Sequence, residues 1–199
     1  MKKIKFLIAF ILLSHFVAEA QKKTYTDSIQ KFQDKYVKEH GVVEGKDKAL
    51  LHFFPVNEQF RFTARFERIY SSAWFNMETS GKIKKPYRIY GVLNFTLKDT
   101  VLKLNVYQSQ QLMATKEYAD HLFVPFTDKT SGDESYDNGR YIDLLEGDLK
   151  GETYTIDFNK AYNPYCAYVS NVYNCPVPPK ENDLPVFIRA GEMKYGKAH

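Results

Sequence analysis

The chain has 199 residues, and its 28 basic and 24 acidic residues give a formal net charge of +4 at pH 7. This near balance gives no indication of a nucleic-acid or anionic-lipid partner, because proteins that bind those partners concentrate positive charge. The length suits one domain with its own core. No internal repeat, low-complexity tract or linker divides the sequence.

The first residues have the pattern of a secretory signal peptide. Its parts are a basic start, a short apolar run and a small-residue cleavage site: Met1–Lys5, Phe6–Phe16 and Ala18-Glu19-Ala20. A transmembrane anchor is the alternative, but the apolar run is too short and Ser14-His15 interrupts it. We therefore expect cleavage between Ala20 and Gln21, removing residues 1–20. The protein is then expected to be exported, periplasmic or secreted, and soluble without a membrane span.

One amphipathic helix is predicted near the new N-terminus, over about residues 27–40. Ile29, Phe32 and Tyr36 fall on one face of this segment, and polar residues occupy the opposite face. The apolar stripe is narrow and the polar face carries charges of both signs. This pattern favours a helix that packs on a larger domain over one that lies on a membrane surface.

From residue 50 onward the apolar period changes to two, which predicts β strands. The alternation is clearest at Phe60–Glu67, and at Leu93–Leu97 and Leu102–Val106 on either side of a predicted turn at residues 98–100. Further strands are predicted at Leu50–Val56, Trp74–Thr79, Tyr87–Tyr90, Leu122–Phe126, Tyr141–Leu145, Tyr154–Phe158 and Val186–Arg189.

Many short strands without crossover helices indicate a mainly β fold. We expect residues 21–199 to form a single β-rich domain, either an antiparallel β-barrel or a sandwich, with its β core over about residues 50–192. One N-terminal helix and long ordered C-terminal loops complete the expected architecture.

Two polar segments are predicted as ordered loops. Residues 127–143 begin as a loop, and Asn138-Gly139 is suited to a tight turn with positive φ just before the next strand. The C-terminal segment holds Pro164 and Pro176, and two further prolines follow the latter. Prolines at this density exclude regular secondary structure. The interleaved tyrosines favour a packed loop over a disordered one.

A series of motifs occurs along the chain in one order. These motifs are Phe126-Thr127-Asp128, Gly139-Arg140-Tyr141-Ile142-Asp143-Leu144, Asp157-Phe158-Asn159-Lys160-Ala161-Tyr162-Asn163-Pro164-Tyr165-Cys166, Cys175-Pro176, Glu181-Asn182 and Ile188-Arg189-Ala190-Gly191-Glu192. In this series the chain resembles an uncharacterised bacterial and archaeal family, number sixteen-eighty-four of the domains of unknown function. The resemblance covers most of the chain after residue 20 and implies a single domain of this length. It implies no activity, because the family has none assigned.

The only two cysteines, Cys166 and Cys175, flank a loop near a cluster of prolines. In an oxidising compartment we expect them to form a disulfide. The alternatives are two free thiols, a metal-ligand pair and a nucleophilic pair of Cys166 with His121. A structural zinc site needs four ligands, and only two stand at suitable spacing, so no metal is expected. No cofactor-binding or catalytic signature motif is present, so no cofactor is expected either.

The candidate site residues come from the two polar loops and the strands beside them. They are Arg140, Tyr141, Asp143, Asp157, Asn159, Asn163, Glu181, Asn182, Arg189 and Glu192. An arginine fork beside carboxylates suits an anion-binding or acid/base site, but the same groups also form purely structural ion pairs. Asparagines in loops commonly satisfy backbone groups. Tyrosines either pack in the fold or stack on the ring of a ligand.

These observations favour an exported module that binds a small molecule or a protein partner in a polar cleft between residues 127–143 and 157–192. The alternative is a hydrolase in which Asp143 or Asp157 acts as acid or base while Arg140 stabilises an anion. An open pocket that holds Arg140 and a carboxylate of raised pKa favours the enzyme. A filled network of ion pairs around Arg140 indicates a structural role.

Overall fold

The computed structural model describes residues 2–197, with side chains described from Gln21 onward. Helix α1 spans Lys2–Glu39 and helix α2 spans Gln110–Met113. The strands are β1 (Arg61–Arg68), β2 (Phe75–Met77), β3 (Lys85–Leu97), β4 (Thr100–Ser109), β5 (His121–Asp128), β6 (Arg140–Leu145), β7 (Thr153–Asp157) and β8 (Asp183–Leu184). Short 3-10 turns lie between several of these elements.

The eight strands form one sheet with the order β6-β5-β4-β3-β1-β7, to which β2 adds beside β3 and β8 beside β5. The pairings are antiparallel except the short one between β5 and β8. The sheet is curled into a half-barrel. The barrel is not closed, because β6 and β7 lie at the two ends of the strand order and do not pair with each other. The expected mainly β antiparallel fold is confirmed, and the architecture is an open half-barrel.

Alternation along the strands gives the sheet two apolar faces. One face carries the main core, in which Leu93 and Leu104 pack with Phe158 and Ile188 from the C-terminal segment. The other face carries an aromatic cluster made of Met77, Tyr87, Tyr107, Phe123 and Tyr141. Strand β3 contributes to both, because its register shifts between Ile89 and Gly91 and so turns Tyr87 away from the face of Leu93.

Helix α1 is longer than the helix predicted over residues 27–40, because it begins at Lys2. Its buried face differs from the predicted stripe: Ile29 and Gln33 are buried, whereas Phe32 is 37% exposed. The predicted cleavage site lies inside this helix, and the predicted leader lies outside the residues whose side chains are described.

The predicted strand at Leu50–Val56 does not form in the sheet. This segment is paired with the C-terminal end of the chain through the single bridge of Phe53 with Glu192. The backbone N–H of Phe54 donates to the carbonyl of Gly191 at 2.9 Å. Alternation in the sequence predicts an extended chain, but it does not show whether a strand is available to pair with it.

The predicted strand at Val186–Arg189 is also wrong, and strand β8 lies just before it. The Val186 carbonyl bonds to the backbone just after β5, but Ile188 bonds to side chains. The N–H of Ile188 donates to Asp128 Oδ1 at 3.2 Å, and its carbonyl accepts from Arg140 Nη2 at 2.8 Å. At Ile188 the side chains of an ion pair therefore take the place of a neighbouring strand.

The C-terminal segment after β7 is an ordered loop region, as predicted. Short 3-10 turns and β8 are its only regular elements within residues 158–197. Gly191 has φ of +78°, and an added Cβ would lie 2.6 Å from the carbonyl oxygens of Phe158 and Ala161. A side chain is therefore excluded at this turn, which brings Glu192 into the interior.

Candidate functional site

Arg140 lies in the interior and bonds to three backbone carbonyls of the C-terminal segment. Its side chain is fully buried and pairs with Asp128, with 2.7 Å between Nη2 and Oδ2. The guanidinium also donates to the carbonyls of Ile188, Ala190 and Glu192. Because these groups enclose it, Arg140 holds the C-terminal segment against the sheet. This is the structural role that the sequence left open.

The carboxylates considered as partners of Arg140 lie elsewhere. Asp143 is three positions along the same strand, so its side chain leaves the opposite face of β6. It accepts hydrogen bonds from Tyr162 Oη at 2.8 Å and shares one with His121 Nε2 at 3.2 Å. Asp157 ends β7, at the other extreme of the strand order. The structure therefore does not bring the three charges of the predicted hydrolase together.

Asn159 and Asn182 are fully buried. Each side-chain amide bonds to both the N–H and the carbonyl of one residue, as a neighbouring strand would. The Asn182 side chain accepts the N–H of Asn105 at 2.8 Å and donates to the carbonyls of Asn105 and Pro125. The Asn159 side chain accepts a hydrogen bond from the N–H of Asn57 and donates one to its carbonyl, both at 2.9 Å. Both amides therefore serve the fold, because their bonding groups are occupied.

Glu192 is a buried carboxyl without an ion pair among the described residues. It accepts hydrogen bonds from Tyr168 Oη at 2.7 Å, Tyr36 Oη at 3.2 Å and the backbone N–H of Asn163 at 2.8 Å. Burial raises the pKa of Glu192 to about 7, although these hydrogen bonds and the charge of Arg140 act in the opposite direction. The protonated and the ionised forms of Glu192 are therefore both populated near neutral pH.

The remaining candidates are two exposed side chains and a buried asparagine whose Oδ1 has no hydrogen-bond partner among the described residues. Arg189 is exposed and pairs with Glu134, with 2.7 Å between Nε and Oε2. Glu181 is exposed on the 3-10 turn Lys180–Asn182. The side chain of Asn163 donates to the carbonyl of Met193 at 2.8 Å. None of these three residues lines either of the two clefts described below.

Cys166 and Cys175 form the expected disulfide, with their Cα atoms 6.3 Å apart. The bond lies between two clefts, and Cys175 lines one of them while Cys166 lines the other. The disulfide therefore fixes the shared wall of both clefts.

The first cleft, which we call the aromatic cleft, has a volume of about 570 Å³ and opens over the aromatic face of the sheet. Six rings line it, namely Phe32, Tyr36, Tyr141, Tyr162, Tyr165 and Tyr173. Tyr165 and Tyr173 remain 44% and 38% exposed. The hydroxyls of Tyr141 and Tyr162 are used within the protein, bonding to the Pro176 carbonyl and to Asp143. These two rings therefore offer mainly their apolar surfaces.

Two charged groups interrupt the apolar lining of the aromatic cleft, Lys85 and Asp143. Both hydrogen bonds of Asp143 end on Oδ1, and its side chain is 49% exposed. Lys85 is half-buried at the start of β3, and burial lowers the pKa of its ammonium. A charged group of each sign is thus available at the walls of a mainly apolar cavity.

The second cleft, which we call the polar cleft, has a volume of about 740 Å³. Its walls include hydroxyl, amide and ammonium groups from Ser80, Lys82, Asn138 and Asn171. It shares Tyr173 and Asn174 with the aromatic cleft.

Of the candidate binding residues, Tyr141 and Asp143 line the aromatic cleft, and none lines the polar cleft. A polar cleft was predicted between residues 127–143 and 157–192. The aromatic cleft takes lining residues from both ranges, but Phe32, Tyr36 and Lys85 lie outside them and most of its lining is aromatic. Phe32 and Lys85 were missed, because both are far along the chain from the two loops. The density of tyrosine in the C-terminal segment was the signal available for the others.

Within residues 2–197, no group of three or more histidine, cysteine or acidic residues is placed to hold a metal ion. None of the helices in the described part of the chain is long and apolar enough to cross a membrane.

Comparison with known proteins identifies a family but no activity. The family model described as protein of unknown function (DUF1684) matches residues 48–193. The solution NMR structure of an uncharacterized protein from Haloarcula marismortui superposes with a TM-score of 0.65 at 29% sequence identity, covering 88% of this chain and 97% of that one. No curated protein matches the sequence significantly.

Proposed function

This chain belongs to the DUF1684 family, and we propose that it is an exported protein that binds a small molecule in the aromatic cleft. The observation that carries the proposal is the cleft itself. Its volume of about 570 Å³ is in the range of small-molecule sites. Its lining also has their usual composition, with aromatic surfaces and a small number of polar groups that orient a ligand.

Export is supported by the leader pattern of residues 1–20 and by the disulfide, which persists in oxidising compartments. N-terminal sequencing of the protein from its native host is expected to start at Gln21. A chain that begins at Met1 and fractionates with the cytoplasm contradicts the export proposal.

A ligand with a flat, largely apolar face fits this site best. Phe32 stands on one wall, on α1, and Tyr165 and Tyr173 stand on the C-terminal segment. A flat ring placed among them gains aromatic stacking as well as burial of apolar area. The binding module is preferred to a hydrolase because Arg140 is enclosed in the core and lies in neither cleft.

Binding is tested by calorimetry with four small ring compounds: indole-3-acetate, indole-3-acetamide, cyclohexylacetate and cyclohexylacetamide. At least one is expected to bind the wild-type protein. Phe32→Ala is expected to weaken that binding by roughly three- to tenfold, since it removes one wall of the site. Phe187→Ala is the matched control, because Phe187 is 47% exposed and lines neither cleft. Absence of binding by all four compounds at millimolar concentration refutes the proposed function.

A further inference from the structure

The half-buried Lys85 is the cation that lines the aromatic cleft. Burial lowers the pKa of its ammonium. Among the described residues, no carboxylate lies at ion-pair distance from it. An ammonium that loses water without gaining a partner costs free energy, so such groups are usually paired.

Asp143 lines the same cleft but does not act as the counter-ion of Lys85. Its carboxylate is engaged by Tyr162 and by His121. The neighbouring Lys84 shows the ordinary arrangement, because it is exposed and pairs with Glu78. The two adjacent lysines therefore differ in both burial and pairing.

Lys85 therefore lacks a partner at a place where a ligand would sit. Resting on the proposed function, we propose that the ligand of the aromatic cleft is an organic anion, whose negative group pairs with Lys85 while its apolar body lies among the rings. The pairing is favourable here for two reasons. The apolar walls reduce the screening of the charges by water, and the anion replaces hydration that the ammonium has already lost in part. A neutral ligand of the same shape would leave the ammonium uncompensated.

The test compares the affinity of each acid with that of its amide, using the same four compounds. Indole-3-acetate and cyclohexylacetate are expected to bind the wild type at least about tenfold more tightly than the corresponding amides, as for one desolvated charge pair. In Lys85→Met this ratio is expected to fall to about one, because the ammonium is replaced by an apolar group of similar length. Lys85→Arg is expected to restore a preference for the acids.

Lys84→Met is the matched control and is expected to keep the wild-type ratio, because Lys84 does not line the aromatic cleft. Circular dichroism checks that each variant is folded. Equal affinity of acid and amide in the wild type overturns the inference but leaves the proposed binding function standing. An acid preference that survives Lys85→Met also overturns it, since another group would then hold the anion. Failure of all four compounds to bind refutes the proposed function itself, and this inference with it.

Discussion

Replacement of Glu192 by glutamine measures the free energy that the folded protein loses when this buried carboxyl ionises. Burial raises the pKa of Glu192 from 4.5 to about 7. At roughly 1.4 kcal/mol for each tenfold change in proton affinity, this shift corresponds to about 3 kcal/mol. Because the folded state holds the proton more tightly than the unfolded state, the stabilisation is present below pH 4.5. It is lost as the pH rises through about 7.

Glutamine keeps the size of the side chain and one oxygen, in the place of Oε2, that accepts from both Tyr168 and Asn163, but it does not ionise. The free energy of unfolding of Glu192→Gln, relative to wild type, is therefore expected to rise by about 3 kcal/mol between acid and mildly alkaline pH. Near the acid end the two proteins are expected to differ little, because both then carry a neutral group at this position.

Urea denaturation at a series of pH values, with the disulfide intact, measures this difference. Glu181→Gln is the control, because Glu181 is exposed and its replacement is expected to leave the pH dependence unchanged. Parallel pH profiles for wild type and Glu192→Gln would show that the pKa of this carboxyl is not raised on folding. The account of the buried network would then be wrong.

Two further substitutions test the interior. Arg140→Met is expected to lower the free energy of unfolding by about 3–5 kcal/mol, because it leaves Asp128 buried without its ion-pair partner. Adding Asp128→Asn is expected to recover part of this loss, and an unchanged urea midpoint for the single variant contradicts the pairing. The double variant Cys166→Ser/Cys175→Ser is expected to lose roughly 2–3 kcal/mol, measured in the same way. Equal stability with and without the disulfide would show that this bond does not hold the wall of the clefts.

The sequence predicted what depends on neighbouring residues along the chain. Alternation located seven of the eight strands of the sheet, because a strand with one buried face has an apolar period of two. The hairpin between Leu97 and Thr100 was also predicted, and Lys98 takes the positive φ that such a turn requires. The pairing of Cys166 with Cys175 followed from there being only two cysteines.

The tertiary structure decided how these pieces meet. The two false strands show this, since Leu50–Val56 and Val186–Arg189 are extended but bond to a chain end and to side chains. The sequence indicated that Arg140 needed a carboxylate, but only the fold selected Asp128 and placed Asp143 on the opposite face of β6. Partner choice depends on which strands are adjacent, and that adjacency joins residues far apart in the chain.

The tertiary structure also decided the lining of the aromatic cleft. Phe32 comes from the N-terminal helix, Lys85 from the start of β3 and Tyr165 from the C-terminal segment. Each of these residues alone has the pattern of an ordinary core or surface position. The cleft exists because α1 and the C-terminal segment both pack beside the same face of a half-barrel. The sequence by itself determined seven of the eight strands and the disulfide, whereas packing over long sequence distances determined the partners of Arg140 and the site.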